Sequence, residues 1–404
     1  MHGKRGAVAV IALCQVAALA LWFSASAVVP SIVAEYGLPL TQAAMLTSAV
    51  QAGFVVGTLA SAMLCLADRI EARRLFAASA LVGAASNLAL LAVPMDSALP
   101  VILRFVTGAA MAGVYPVGMK MIGAWAERDL GLLIGILVGA LSLGSAAPHL
   151  FYAFGGIDWR ATIATASFSA TLSAGAIALA APGPRSRRAP PFDPRAMLRI
   201  FTQPGLRLAM LGYLGHMWEL YAMWAWLGVF LNESFRIAGG LGEGNAATLA
   251  RFVSFAAIGL GGLAGCTVGG ALADRMGRTW LTMASMAASG ACAMIAGLLF
   301  GANVWLVASV CLLWGLFINA DSAQFSASVT ELADPERVGT MLTMQTSCGF
   351  LLTLATIHLV PVVVAHWGWP VAFIALAVGP CWGVAAMARL RARPESARLA
   401  NGRR

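Results

Sequence analysis

The sequence predicts an all-α membrane protein built from two six-helix bundles, and three observations support this prediction. The chain of 404 residues is 60% hydrophobic and 11% charged, with a mean hydropathy of +0.82. Apolar runs long enough to cross a bilayer recur along its whole length. One charged loop sequence occurs twice, half a chain apart. Soluble domains carry about 25% charged residues, so this composition requires the lipid bilayer as its solvent.

Twelve apolar runs define the predicted membrane spans, which we number 1 to 12 in chain order. In the first half they cover residues 7–29, 42–66, 75–93, 99–123, 130–154 and 160–181. In the second half they cover residues 208–231, 248–272, 279–300, 303–327, 338–364 and 369–390. This pattern predicts an N-terminal bundle at 1–181, a linker at 182–207, a C-terminal bundle at 208–391 and a tail at 392–404.

The loop between spans 8 and 9 reads GALADRMGRT over residues 270–279. We expect Gly270 to let a neighbouring helix backbone approach closely and Gly277 to adopt a positive φ angle. Asp274, Arg275 and Arg278 place three charges in a turn that connects two apolar helices.

The loop between spans 2 and 3 is a degraded copy that reads LADRIEARR over residues 66–74. It keeps Asp68, Arg69 and Arg73, whereas Leu64 and Glu71 stand where the later copy has glycines. Two copies half a chain apart indicate an internal duplication. The sequence resembles the loop signature G-x-L-A-D-R-x-G-R-[KRT] of the major facilitator superfamily. This resemblance covers essentially the whole chain and implies two bundles related by a pseudo-two-fold axis, secondary transport by alternating access, and no enzyme activity.

The resemblance further implies a cytoplasmic gate made from the two loops. Asp68 would accept from free amides at the start of span 11, and Asp274 from those at the start of span 5. Arg69 and Arg275 would pair with acids at the inner ends of spans 4 and 10. The acids available there are Glu127, Glu331 and Glu336. The alternative is that these arginines only set the orientation of the chain in the membrane.

The distribution of basic residues predicts that both termini are cytoplasmic. With the N-terminus inside, every lysine and arginine except Arg104, Arg160, Arg236 and Arg251 lies in an inner segment, as the positive-inside rule requires. We therefore expect a multi-pass protein of the plasma (cell inner) membrane that acts as a monomer in the lipid bilayer. The net charge of +9 is spread over the loops instead of one soluble face, so we expect no nucleic-acid partner.

Span 7 carries the most unusual polar residues. Glu219 lies about eleven residues into the span, near the middle of the bilayer, where an ionised carboxylate is costly. His216 lies three residues earlier and therefore on nearly the same face. A carboxylate and a histidine at this depth can form a proton relay, although a structural hydrogen-bonded pair is the alternative. Tyr221 belongs to an aromatic set from which one or two members are expected to line a cavity.

Span 10 carries a second buried acid, Asp321, with Gln324 three residues later. Two acids and a histidine in one half resemble the coupling sites of proton-driven members of the superfamily, and a satisfied structural aspartate is the alternative. Span 4 carries the opposite charge. Arg104 is expected to bind an anionic substrate or neutralise a carboxylate. Lys120, close to Tyr115, either faces the substrate cavity or extends to water.

These residues lead to a proton-coupled transporter of a small solute, with an organic anion as the expected substrate. A drug or cation efflux antiporter of the same fold is the alternative. A polytopic membrane enzyme is a further alternative of another class, but no histidine is followed by an aspartate five residues later. The chain lacks a Walker A loop, its seven cysteines all fall in apolar runs, and we expect neither a cofactor nor a bound metal.

Overall fold

The computed structural model describes residues 3–126, 130–154, 158–184, 198–240, 242–334 and 337–403, and every regular element within them is a helix. Span 1 is formed by the helices Lys4–Leu19 and Ser24–Ala27, and the short helix Val29–Tyr36 follows it. Spans 2 to 6 are Leu40–Met63, Ala72–Leu88 with the turn Ala89–Ala92, Leu99–Met111 with Tyr115–Gly123, Leu130–Phe154, and Trp159–Ala176 with the turn Ile177–Leu179.

The second half repeats this arrangement. Span 7 is Pro204–Ala238, span 8 is Glu243–Phe255 continued through Ala256–Leu260 and Gly261–Met276, span 9 is Arg278–Leu298, and span 10 is Val304–Ala320 with Ser322–Leu332. The helix Val338–Arg391 contains spans 11 and 12, which are separated by Gly368 with a φ angle of 80°. Of the predicted linker, the described part includes residues 182–184 and the helix Arg199–Thr202, and the tail forms the 3-10 helix Pro394–Gly402.

By length and composition, nine helices in the described part of the chain could cross a membrane. One of them is Val338–Arg391, which holds two of the predicted spans. Span 1 is absent from the nine because it is broken at residues 20–23, and span 7 is absent although its helix has 35 residues. Polar and aromatic side chains such as His216 and Glu219 reduce the hydropathy of span 7. The fold therefore has twelve spans in two six-helix bundles.

Both halves use the same glycine contacts between their second and fourth spans. A Cβ atom at Gly108 of span 4 would lie 2.0 Å from the backbone oxygen of Val50 in span 2. A Cβ atom at Gly315 of span 10 would lie 2.0 Å from the backbone oxygen of Ala257 in span 8. Only glycine permits helices to pack this closely. The repeated contact agrees with an internal duplication.

Interruptions in the helices lie at equivalent places in the two halves. Span 4 breaks at residues 112–114, immediately before Tyr115 and Pro116. Span 10 breaks at Asp321, which ends one helix and precedes the next. A proline at the first turn of a helix leaves no donor unpaired there, which explains the position of the first break. These breaks lie beside the cavity described below.

The two halves contact each other along two seams. At one seam, Phe154 of span 5 packs edge to face on Phe252 of span 8, with ring centroids 5.7 Å apart. At the other seam, the Oγ of Ser48 in span 2 lies 2.9 Å from Nε2 of His358 in span 11. We call the face that carries loops 64–71 and 274–278 the motif face. Both of these contacts lie toward the opposite face.

Candidate functional site

A small cavity lies between the two halves, on the motif-face side of the protein centre. Its volume is about 70 Å³, whereas sites for drug-sized ligands measure about 300–1,000 Å³. Spans 4, 5, 7, 10 and 11 form its wall. The polar and aromatic side chains of that wall are Tyr115, Ser142, Tyr213, His216, Tyr221, Trp224, Asn319, Ser322, Ser326, Thr346 and Phe350. No lysine, arginine, aspartate or glutamate is among the described residues that line it.

An aromatic layer from both halves lies at the end of the cavity farther from the motif face. Trp22 of span 1 contacts Phe54 of span 2 and Phe350 of span 11, with ring centroids 4.8 and 5.4 Å apart. Tyr221 of span 7 contacts Phe350 at 4.8 Å. The indole of Trp22 donates to Oε1 of Gln51 at 3.0 Å, which fixes its orientation. A solute leaving the cavity toward the opposite face must displace this layer.

Two buried titratable side chains, His216 and Asp321, meet at the cavity wall. Nδ1 of His216 lies 3.0 Å from Oδ1 of Asp321. On the other side of the ring, Nε2 of His216 lies 3.1 Å from the hydroxyl of Ser322. The imidazole packs against Phe325, with ring centroids 5.3 Å apart. The break in span 10 brings Asp321 behind the histidine, so only His216 of this pair lines the cavity.

Glu219 lies elsewhere, inside the C-terminal bundle. Its carboxylate accepts from the hydroxyl of Ser289 in span 9 at 2.8 Å and from the indole of Trp314 in span 10 at 2.7 Å. The side chain is buried but does not line the cavity. The proximity of His216 along span 7 suggested a pair with Glu219, yet the histidine lies against Asp321 instead. One helical turn separates their positions, but their side chains point to different neighbouring helices.

Arg104 is also fully buried away from the cavity, which corrects its expected position at the substrate. Its guanidinium donates to the backbone oxygens of Leu21 at 2.9 Å and Leu46 at 3.0 Å, and to Oδ1 of Asn87 at 2.8 Å. Two more acceptors are the backbone oxygen of Trp22 and the hydroxyl of Ser24. Leu21 and Trp22 lie in the break in span 1, so Arg104 satisfies two carbonyls there that have no helical partner.

Two further candidates serve the motif face instead of the cavity. Nζ of Lys120 donates to the backbone oxygen of Ala67 at 2.5 Å, which ties span 4 to the first loop. Oε1 of Gln324 accepts from Arg278 at 2.7 Å, which ties span 10 to the second loop. Tyr115, by contrast, lines the cavity as expected.

The second loop forms an ion pair with span 10, but through a different arginine from the expected one. Arg278 contacts both carboxylate oxygens of Glu331, at 2.8 and 2.6 Å, whereas the Arg275 side chain is exposed. The carboxylate of Asp274 lies 3.9 Å from Arg278, with 62% of its side chain exposed. Gly277 has the expected positive φ angle, 96°.

Gly270 does not provide the close helix approach that we expected, because a Cβ atom there would meet nothing within 4 Å. Its neighbour Gly269 does so instead, since a Cβ atom there would lie 2.0 Å from the backbone oxygen of Ala320. The rotation of span 8 about its own axis decides which of the two adjacent glycines faces span 10, and the loop motif does not reveal this.

The first loop is described only in part. Arg73 pairs with Glu71 within the loop, at 2.5 Å, and Arg69 is exposed. The Asp68 side chain, Glu127 and Glu336 lie outside the described part, so their expected gate contacts stay predictions.

Several cavity residues were missed at the sequence level. Asn319 accepts from Ser142 at 3.1 Å and so joins span 10 to span 5 across the two halves. Ser322 contacts His216, and Phe350 closes the cavity with Trp22. Asn319 and Ser322 could have been found from the sequence, because they are polar residues close to Asp321 within an apolar run. No comparable signal distinguishes Phe350 from other apolar residues of its span.

Comparison with known proteins agrees with this architecture. No curated protein matches the chain. The family model described as Major Facilitator Superfamily matches residues 11–357, with a second match at residues 253–404. Together these matches span nearly the whole chain, including both charged loops and all cavity-forming spans. The chain therefore belongs to the major facilitator superfamily, whose members are transporters.

Proposed function

We propose that this transporter moves a small solute by alternating access and couples that movement to protons through His216 and Asp321. The observation that carries this proposal is the buried pair itself, 3.0 Å apart, with its histidine on the wall of the cavity between the halves. Alternating access requires a site that both halves form, and the spans around this cavity belong to both. Glu219 is no longer the first candidate, because it faces spans 9 and 10.

The pair can hold one additional proton at a defined place. For the deprotonated state we place the hydrogen of the neutral imidazole on Nδ1, which faces the Asp321 carboxylate at 3.0 Å, while Nε2 faces the hydroxyl of Ser322. A proton that arrives from the cavity binds Nε2, and Ser322 then becomes an acceptor. The pair thereby changes from a net charge of −1 to zero, which alters the cost of closing apolar helices around it. Release toward the other side completes one cycle.

We propose that the solute is uncharged and partly aromatic. An organic anion was expected because of Arg104 and Lys120, but neither side chain lines the cavity. Tyrosine, tryptophan and phenylalanine side chains stack on flat apolar groups. The hydroxyls of Ser142 and Ser322 and the amide of Asn319 supply a few directional hydrogen bonds. The cavity volume of about 70 Å³ favours a small molecule and requires the cavity to widen when the solute enters.

The second candidate is a drug or cation efflux antiporter, and the aromatic wall favours it. Aromatic faces attract organic cations when no carboxylate is in contact, and Tyr115, Tyr213 and Tyr221 all line the cavity. We propose for either case a monomer in the plasma (cell inner) membrane, with both termini in the cytoplasm and no enzyme activity. The distribution of lysine and arginine supports this orientation.

A solute panel and proteoliposomes test the proposal together. A thermal-shift screen with matched neutral, anionic and cationic aromatic molecules identifies a solute that stabilises the purified protein. Transport of that solute is then measured with and without an imposed pH gradient. We expect Asp321→Asn and His216→Gln to abolish gradient-driven accumulation, because neither variant can complete proton uptake and release. Counterflow exchange should persist, since it needs no net proton movement.

Glu219→Gln is the matched control, because it also neutralises a buried carboxylate in the same bundle. We expect this variant to retain gradient-driven accumulation. If Glu219→Gln is uncoupled while Asp321→Asn still accumulates solute, the assignment of the coupling pair is wrong. Stabilisation by anions alone would contradict the proposed substrate class.

A further inference from the structure

A second pocket lies at the motif face, between the start of span 7 and the end of span 12. Its volume is about 420 Å³. The residues around it are Arg207, Leu208, Leu211, Arg389, Ala392, Arg393 and Pro394. Among the described residues, none of those that line it is acidic, and no carboxylate lies in an ion pair with its three arginines. The pocket therefore gathers three positive charges at the edge of the helix bundle.

Two apolar side chains, Leu211 and Trp382, continue from this pocket toward the middle of the membrane, and we call the surface that they expose the apolar strip. The indole of Trp382 in span 12 donates to the backbone oxygen of Leu211 in span 7 at 2.9 Å. Both side chains are partly exposed, at 37% and 39%. Leu211 lies one helical turn, about 6 Å, beyond Arg207, and Trp382 lies about two turns before Arg389. The arginines thus lie at one end of the apolar strip.

We infer that this pocket binds the anionic headgroup of a phospholipid, with an acyl chain against the apolar strip of Leu211 and Trp382. Arginine presents a planar set of donors that matches the oxygens of a phosphate. The pocket lies where spans 7 and 12 reach the motif face, which is the depth of lipid headgroups, and basic clusters at that depth attract anionic lipids. The inference does not depend on the transported solute or on proton coupling.

The neighbouring linker of the same chain is a poor occupant. Residues 185–197 contain four arginines and one aspartate, so this segment has the same sign of charge as the pocket. A free inorganic anion would use the arginines but gain nothing from the apolar strip. A phospholipid satisfies both parts at once, which is why we commit to it.

Native mass spectrometry of the detergent-purified protein tests this inference. Phosphatidylglycerol is added, and phosphatidylcholine with the same acyl chains serves as the neutral comparison. The test variant combines Arg207→Gln, Arg389→Gln and Arg393→Gln. The control combines Arg69→Gln, Arg74→Gln and Arg275→Gln, which removes three exposed arginines of the motif face away from the pocket. We expect the apparent affinity for phosphatidylglycerol to fall about tenfold or more in the test variant, and by less than about twofold in the control.

Three results would overturn the inference. Equal loss of lipid in the control variant would indicate diffuse attraction to a basic face. Equal binding of phosphatidylcholine would remove the role of the arginines. Displacement of phosphatidylglycerol by millimolar inorganic phosphate would indicate a free-anion site. If the combined variant does not give a folded protein, the single variant Arg389→Gln decides: its affinity for phosphatidylglycerol should fall at least about twofold, and no change contradicts the site.

Discussion

Replacing Arg104 by methionine tests whether this arginine stabilises the fold or binds the solute. The side chain is completely buried and donates to five acceptors around the break in span 1. Arg104→Met preserves much of the volume but removes every donor. We expect a less stable protein with an unchanged cavity, because Arg104 does not line it.

The expected loss of stability depends on which hydrogen bonds each acceptor keeps in the Arg104→Met variant. The single hydrogen of the Ser24 hydroxyl can still reach either the backbone oxygen of Leu21 at 3.0 Å or Oδ1 of Asn87 at 2.8 Å, but only one of them at a time. The backbone oxygen of Trp22 loses its donor, and leaving it buried costs about 1–3 kcal/mol. Four further hydrogen bonds contribute about 1 kcal/mol each. Relief of the buried charge offsets part of this sum. For a chain of 404 residues, a net loss of about 3 kcal/mol corresponds to a fall of about 3–4 °C in melting temperature, because the unfolding entropy is about 2.1 cal/mol/K per residue.

The assay is the apparent melting temperature of purified protein, measured together with solute affinity. Arg74→Met is the control, because that side chain is 83% exposed and its replacement should shift the melting temperature by less than about 2 °C. An Arg104→Met protein with unchanged melting temperature but lost solute binding would refute the structural role. It would return Arg104 to the substrate site.

Two smaller predictions concern ion pairs at opposite faces. Arg278→Gln should slow the transport cycle and destabilise the protein by about 1–2 kcal/mol, because the bonds to Glu331 are largely shielded from solvent. Arg275→Gln replaces an exposed side chain and should change neither the transport rate nor the stability. Equal effects in both variants would contradict this assignment. At the other face, hydrogen bonding to Arg160 lowers the pKa of Glu35 below its ordinary value of 4.5. Stability from this pair is therefore present above about pH 4.5 and is lost as the pH falls through the lowered pKa. Glu35→Gln should flatten the melting temperature between about pH 5 and pH 3, and an unchanged pH dependence would disprove the coupling.

Local properties of the chain predicted much of the fold. The number of spans follows from the apolar runs, each of which is one continuous stretch of sequence. The break in span 4 agrees with the position of Pro116, because a proline restricts the backbone within a few residues of itself. The sequence was less informative where a helix break is stabilised by residues that are distant in the chain. The interruption of span 1 at residues 20–23 is stabilised by donors from Arg104, and no proline or glycine marks it.

At the site, the main source of error was the choice between residues that lie close together in the chain. Gly269 and Gly270 are adjacent, and only their angular phase decides which one meets span 10. Arg275 and Arg278 are three residues apart in one loop, and only the placement of Glu331 decides which one forms the ion pair. A motif identifies the residue types that are needed, but their directions depend on how the helices pack.

The sequence by itself determined a twelve-span membrane protein with two related halves, because hydropathy and internal duplication are properties of the chain alone. The resemblance of its charged loops implied a transporter. The sequence also identified His216, Glu219 and Asp321 as buried polar groups, since charge within an apolar run is visible in one dimension. Only the tertiary structure decided which of them meet. Crossing helices bring Asp321 to His216 at 3.0 Å and Glu219 to Ser289 and Trp314. A contact between different helices depends on their rotation and tilt, which no single span records.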